Sequence, residues 1–141
     1  MTVYLDTSLL VAALANEAAT RRVQAWLGRQ PPETLLISDW VVTELTSALS
    51  IKVRSGELDA ADRARLAGVF TRLRTESLTV LPINRDHFAT AARFVEQFSL
   101  GLRAADAMHL AVAADHGARL CTLDRRLADA ATTFAVDAEL V

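Results

Sequence analysis

Hydrophobic positions along the chain alternate between two arrangements. Short continuous apolar runs at residues 3–5, 35–37, 78–81, 119–122 and 134–136 have the length of buried strands. The stretches between them repeat apolar residues every three or four positions, as amphipathic helices do. Residues 9–15 predict a first helix, and Asn16 marks a break. Residues 17–30 predict a second, with Ala19, Val23, Trp26 and Leu27 on one face and Pro31-Pro32 as its stop. Ser38 is placed to cap a third helix over 39–54, whose stripe is Val41, Leu45, Ala48 and Leu49. Gly56 ends it, and Asp59 caps a fourth that buries Leu66, Val69, Phe70 and Leu73. After Pro82, Asn84 or Asp86 caps a fifth with Phe88, Ala91, Ala92 and Val95 inward. Residues 102–114 are apolar nearly all round, which predicts a buried helix, closed by Gly117. A last helix over 125–132 precedes the final strand. Five strands separated by helices predict one α/β domain over residues 1–141, a central parallel sheet with helices on both faces.

Composition narrows this picture without changing it. With 52% hydrophobic and 23% charged residues, the chain has the makeup of a folded globular domain rather than a disordered tail. A net charge of -2 offers no overall attraction to nucleic acid, so such binding needs a local patch or a metal ion. Cys121 is the single cysteine, which excludes an internal disulfide and a cysteine-based zinc site. The apolar 9–15 stretch imitates a signal segment, but no Lys or Arg occurs before Arg21 and Asp6 interrupts it. No run approaches the roughly 18 apolar residues of a membrane span, so the expected compartment is the cytoplasm, away from membranes.

Four carboxylates carry the candidate chemistry. Asp6 follows the first strand and Asp124 follows the fourth, each directly before a helix, so both fall on the same edge of a parallel sheet. Helix capping is the plainer role for Asp6 or Ser8 taken singly. Glu44 projects from within or beside the stripe of the third helix, where an inward carboxylate is costly unless something cationic meets it; an edge position reaching solvent or an Arg is the alternative. Asp106 lies near the first turn of the buried helix, and His109 follows three residues later. His109 reads as a core histidine with a hydrogen bond rather than a ligand. If the four acids converge, their repulsion requires raised pKa values or divalent cations. Hard oxygen ligands without Cys or a His set select magnesium, with manganese as a substitute, over zinc. Such a site suits phosphoryl chemistry, because the ion acidifies water and neutralises phosphate charge.

The segments Val3-Tyr-Leu-Asp6-Thr-Ser8, Val42-Thr-Glu44-Leu-Thr46, Ala105-Asp106-Ala-Met-His-Leu-Ala111 and Thr122-Leu-Asp124-Arg-Arg126 resemble the PIN-domain nucleases. In length and motif spacing the chain is similar to the VapC toxins of bacterial toxin–antitoxin pairs, over essentially its whole extent. The resemblance implies a magnesium-dependent endoribonuclease that hydrolyses RNA phosphodiester bonds, a homodimer, and a small cognate antitoxin protein that blocks the acidic pocket. It carries Asp6, Glu44, Asp106 and Asp124 over as catalytic and metal-binding residues, Glu44 through water as one arrangement. Ser8 and Thr122 carry over as supporting hydroxyls. Arg103, Arg125 and Arg126, close in sequence to the acids, are candidate phosphate contacts, with ordinary surface charge as the alternative.

Other readings predict other residues. A phosphoacceptor receiver domain wants adjacent carboxylates and a late lysine, whereas the only lysine is Lys52. A magnesium phosphatase wants a second acid two residues after the first, where this chain has Ser8. An RNA-processing PIN nuclease that is not a toxin shares every feature above. A non-catalytic binding module would use the carboxylates only as caps, and a divalent-metal titration separates it from the nuclease.

Overall fold

Val3, Tyr4 and Leu5 are all buried, and the strand they form, β1 (Val3–Leu5), is the middle of the sheet. The computed structural model describes residues 1–141. In chain order the remaining elements are α1 (Thr7–Leu14), α2 (Thr20–Leu27), β2 (Leu35–Ser38), α3 (Asp39–Arg54), α4 (Ala60–Glu76), β3 (Thr79–Leu81) and α5 (Arg85–Val95). They are followed by α6 (Ala104–Asp115), β4 (Arg119–Thr122), α7 (Arg125–Thr133) and β5 (Ala138–Leu140). All strand pairs are parallel, in the order β3-β2-β1-β4-β5. The expected five-stranded parallel sheet is therefore present.

This order explains where a site can form. The chain moves outward from β1 through β2 to β3, then returns to the other side of β1 for β4 and β5. Right-handed crossovers accordingly put α1 to α4 on one face and α5 to α7 on the other, matching which helices touch. Between β1 and β4 the connections diverge in opposite directions, which opens a crevice at the carboxyl ends of these two strands. Leu5 is in register with Cys121, and the Asp6 N–H donates to the Cys121 carbonyl at 3.1 Å, so Asp6 leaves the sheet level with Thr122.

The core joins β1, β2 and β4 to α1, α3 and the Leu110, Val112 and Ala113 side chains of α6, while Ala107, Met108 and Ala111 of α6 pack with Ala91 of α5 in a second, smaller cluster. Each Leu or Ile fully buried here contributes about 1.5–3 kcal/mol through removal from water. Gly101 supplies a left-handed turn (φ 65°) ahead of α6, a conformation most side chains resist. No helix is long and apolar enough to cross a membrane.

Several local expectations are corrected. The second helix is shorter than 17–30, running from Thr20 to Leu27, with a 3-10 turn at Pro32–Thr34 beyond it. The last strand lies at Ala138–Leu140 rather than 134–136. Phe134 instead ends α7 and stacks on Phe94 with ring centroids 4.1 Å apart, so its apolarity serves helix packing. Ser38 precedes α3 but makes no capping bond, because its hydroxyl is engaged by Tyr4. Val69 and Phe88 are exposed rather than buried, as is Ala92; His87 and Ala91 form the inner face of α5.

Candidate metal centre

Asp6 is an N-cap and more. Its Oδ1 accepts the Leu9 N–H at 3.3 Å, the bond of an ordinary cap, and also the Ser8 hydroxyl at 2.6 Å. Its Oδ2 accepts the Thr122 hydroxyl. Both hydroxyls are themselves acceptors, Ser8 Oγ from the Leu123 N–H at 3.1 Å and Thr122 Oγ1 from the Asp124 N–H at 2.9 Å. Two short relays thus run from the β4–α7 backbone through a hydroxyl to each Asp6 oxygen, and each bond polarises the next. Asp6 is only 4% exposed. Burial pushes its carboxyl above the usual range, against the pull of His109, Ser8, Thr122 and the Leu9 amide.

Asp124 caps α7, accepting the Arg126 N–H at 2.9 Å and the Leu127 N–H at 3.4 Å, and it is exposed. Asp106 stands in the first turn of α6, half-buried. Burial raises its pKa, and the charges of Asp124 and Asp6 raise it further, while the Arg103 backbone amide and His109 pull it down. Asp106 therefore lies close enough to Asp124 and Asp6 at the β1–β4 crevice to feel their charges, although the carboxylate oxygens of the three do not all come within 4.8 Å of one another. No Lys or Arg forms an ion pair with any of the three.

Glu44 joins from α3 through His109. Its Oε1 accepts the Thr7 hydroxyl at 2.6 Å and the His109 Nε2 proton. Burial alone would raise Glu44, but hydrogen bonding and charge from His109, with Thr7, leave it below the ordinary carboxylate range. His109 is the expected core histidine, 3% exposed and bonded on both ring nitrogens, with Nδ1 2.9 Å from the Tyr4 hydroxyl. The sequence reading gave Tyr4 and Thr7 no role at the site and took Ser38 only as a helix cap. A tyrosine in the middle of an otherwise apolar buried strand was the available signal, since a buried phenol requires a partner.

Arg103, Arg125 and Arg126 are exposed and free of ion pairs. Arg126 lies along Gly101, where an added Cβ would stand 3.5 Å from its side chain. Cys121, buried beneath the site, has its thiol pushed up to about 12 by desolvation and by neighbouring acids.

A second group with ligand-type side chains, His87, Asp115 and His116, joins α5 to the end of α6. Its hydrogen bonds argue against a metal. The Asn84 N–H donates to His87 Nδ1 at 3.1 Å, so the neutral ring carries its proton on Nε2, facing Asp115 Oδ2 at 3.0 Å. Nε2 then has no lone pair to offer.

The PIN domain profile matches residues 3–132, more than nine-tenths of the chain. The chain belongs to the PIN-domain family. Its fold is similar to a chain of the FitAB complex bound to the IR36 DNA fragment, with 21% identity, coverage of 98% of this chain and 94% of that one, and a TM-score of 0.75. It is also similar to VapC20 of Mycobacterium tuberculosis, a sarcin-ricin loop cleaving toxin, at 18% identity, 92% and 95% coverage and TM-score 0.73. A chain of VapBC2 from Rickettsia felis, bound to a promoter DNA fragment, matches at 16% identity, 99% and 98% coverage and TM-score 0.69. Comparison with curated protein sequences found no significant match. At these identities the neighbours establish the fold alone.

Proposed function

We propose that this PIN domain is a magnesium-dependent endoribonuclease and the toxin of a VapBC-type toxin–antitoxin pair. The observation that carries the reading is the approach of three carboxylates, in which the charges of Asp124 and Asp6 raise the Asp106 carboxyl while no Lys or Arg pairs with any of them. A divalent cation is the counterion this donor set lacks, and its oxygen ligands fit magnesium or manganese. Asp6, Asp106 and Asp124 would hold the ion, with Glu44 reaching it through water. When bound, magnesium supplies an acidified water and charge neutralisation at the scissile phosphate.

The remaining work falls to the protein's own groups. Ser8 and Thr122 hold both Asp6 oxygens, so this carboxylate keeps one orientation. Asp106 is fixed by its place in the buried α6, and Asp124 by its capping bonds to α7. Arg103, Arg125 and Arg126 are free to contact phosphates flanking the cut. Hydrolysis leaves a 5′-phosphate and a 3′-hydroxyl. The toxin reading draws support from the fold neighbours named for toxin–antitoxin complexes, and the partner is a small antitoxin whose cationic side chain neutralises the pocket. A homodimer is supported by an apolar hollow of about 320 Å³ between α3, α5 and α6, lined by Trp40, Phe88, Val95 and Met108 among others.

Mapping cleavage ends after incubation with total cellular RNA and magnesium tests the activity. Cuts bearing 5′-phosphates that vanish in excess chelator are expected; cleavage that persists in chelator sinks the mechanism. Co-purification of a small protein from the native host tests the toxin assignment, and sedimentation as a monomer at micromolar concentration refutes the dimer.

A further inference from the structure

We infer that His109 is a positioning residue for Glu44, itself locked in orientation by the buried pair Tyr4 and Ser38. The inference rests on reading Glu44 as part of the acidic centre. Four contacts carry it. Ser38 Oγ lies 2.7 Å from the Tyr4 hydroxyl, which lies 2.9 Å from His109 Nδ1. On the other side of the ring, Nε2 bonds Glu44 Oε1, which also accepts the Thr7 hydroxyl at 2.6 Å.

Proton accounting gives the chain a direction. A carboxylate has no proton to donate, so His109 Nε2 must carry one. In the neutral ring Nδ1 then accepts from Tyr4, whose oxygen accepts from Ser38. In the charged ring Nδ1 donates to Tyr4, which donates onward to Ser38. In both states Nε2–H donates to Glu44 Oε1, so the contact with Glu44 is the same in either. Tyr4, Ser38 and His109 are 0%, 0% and 3% exposed, which leaves water little chance of replacing any member.

Two consequences follow for the site. Both bonds to Glu44 fall on Oε1, leaving Oε2 without a protein donor and available to a hydrated cation. His109 also sits one helical turn after Asp106 on α6. One rigid helix therefore sets Asp106 directly and Glu44 through the imidazole, fixing the spacing of two acids that come from different parts of the chain. With Nε2 protonated and Nδ1 engaged, His109 has no lone pair for metal or substrate. It acts through Glu44.

The experiment is a double-substitution cycle with two readouts: RNA cleavage in magnesium, and calorimetric titration with Mn²⁺ alone. His109→Asn is too short to reach Glu44, and is expected to lower kcat and Mn²⁺ affinity by about 10–100-fold, as loss of an orienting partner does. His109→Gln can place an amide N–H where Nε2 stands, and is expected to stay within about threefold of wild type. Combined with Glu44→Gln, the Asn substitution should add no further loss. Losses that multiply, or a Gln variant as impaired as Asn at equal melting temperature in chelator, overturn the inference. If wild type binds Mn²⁺ non-additively in this cycle but cuts no RNA, the nuclease reading fails and the positioning role stands. If wild type cuts RNA and the cycle is additive, the reverse holds. Long-range ¹H–¹⁵N spectra of wild-type protein give an independent check: a protonated Nε2 on His109 supports the role, and an unprotonated Nε2 refutes it.

Discussion

Two clusters of ligand-type side chains lie on this molecule, and they differ in what remains unsatisfied. In the cluster of His87, Asp115 and His116 the buried member, His87, is satisfied on both ring nitrogens, while the exposed His116 only approaches Asp115 at 3.7 Å. His87 accepts a backbone N–H on one nitrogen and faces a carboxylate with the other, locking α5 to α6. At the β1–β4 crevice the hydrogen bonds orient the acids, yet the charges stay uncompensated. Asp6 and Asp106 both have raised pKa values, and no Lys or Arg pairs with them. The number of possible ligands does not separate the clusters. Residual charge and free lone pairs do.

The largest test of this contrast is Asp106→Asn, which keeps size and removes one charge. Loss of a metal ligand should cost several kcal/mol of transition-state stabilisation, so cleavage is expected to fall roughly a thousandfold or more. In chelator the variant should melt at or above the wild-type temperature, since repulsion is relieved. Magnesium at a hundred times its Kd should stabilise wild type by about 2.7 kcal/mol and the variant by much less. Lower chelator stability with cleavage retained would falsify the metal-site reading and make Asp106 a structural cap.

His87→Ala attacks the other cluster. It removes half of the capping box of α5 and the link to Asp115, and is expected to lower stability by about 2 kcal/mol in denaturant titration. Its stabilisation by magnesium should match wild type. A variant that folds well but loses the magnesium response would erase the distinction between the clusters.

The pH dependence of the chelated protein sharpens the comparison further. Asp6 and Asp106 hold their protons more tightly when folded, so stability falls as pH rises from their ordinary value of 3.8 through the raised values. Glu44 has the opposite sign: its contribution is present above its ordinary 4.5 and is lost as pH falls through the lowered value. Wild type minus Asp106→Asn isolates the Asp106 part. Asp106 is half solvated, so the difference should be about 1 kcal/mol or less, growing with pH and flattened by magnesium. A difference that shrinks as pH rises contradicts the raised pKa.

The smallest effect expected is none. His116→Ala and Asp115→Asn, exposed members of the histidine cluster, should leave the Mn²⁺ isotherm of the chain unchanged. A lost binding step would show that this cluster does take metal.

Much of the architecture was legible because burial imposes periodicity. The run Ala107 to Ala113 is buried throughout, as a helix apolar nearly all round must be, and the 39–54 prediction coincides with α3. Phe134 and Phe88 misled for one reason: an aromatic residue marks burial without saying against what. Phe134 packs on Phe94 between helices, and Phe88 borders an exposed hollow. Ser38 misled differently, since a hydroxyl before a helix caps it only when nothing better placed competes. Within the site, the acids were visible as charges beside apolar runs, whereas Tyr4 was hidden by its own strand propensity.

What the sequence by itself determined is the alternation of strand and helix, the carboxylates at two strand ends, and membership of the PIN family through those spacings. These are local properties, set by side-chain type and period. Only the tertiary structure decided which strands are neighbours. That choice brings Thr122 to Asp6 across 116 positions of sequence and Tyr4 to His109 across 105. It also decides which hydroxyl donates to which oxygen, and which acids feel each other's charge. Electrostatic and hydrogen-bond energies depend on distances of a few ångströms, and such distances exist only once parallel pairing and the reversal at β1 have placed the segments side by side.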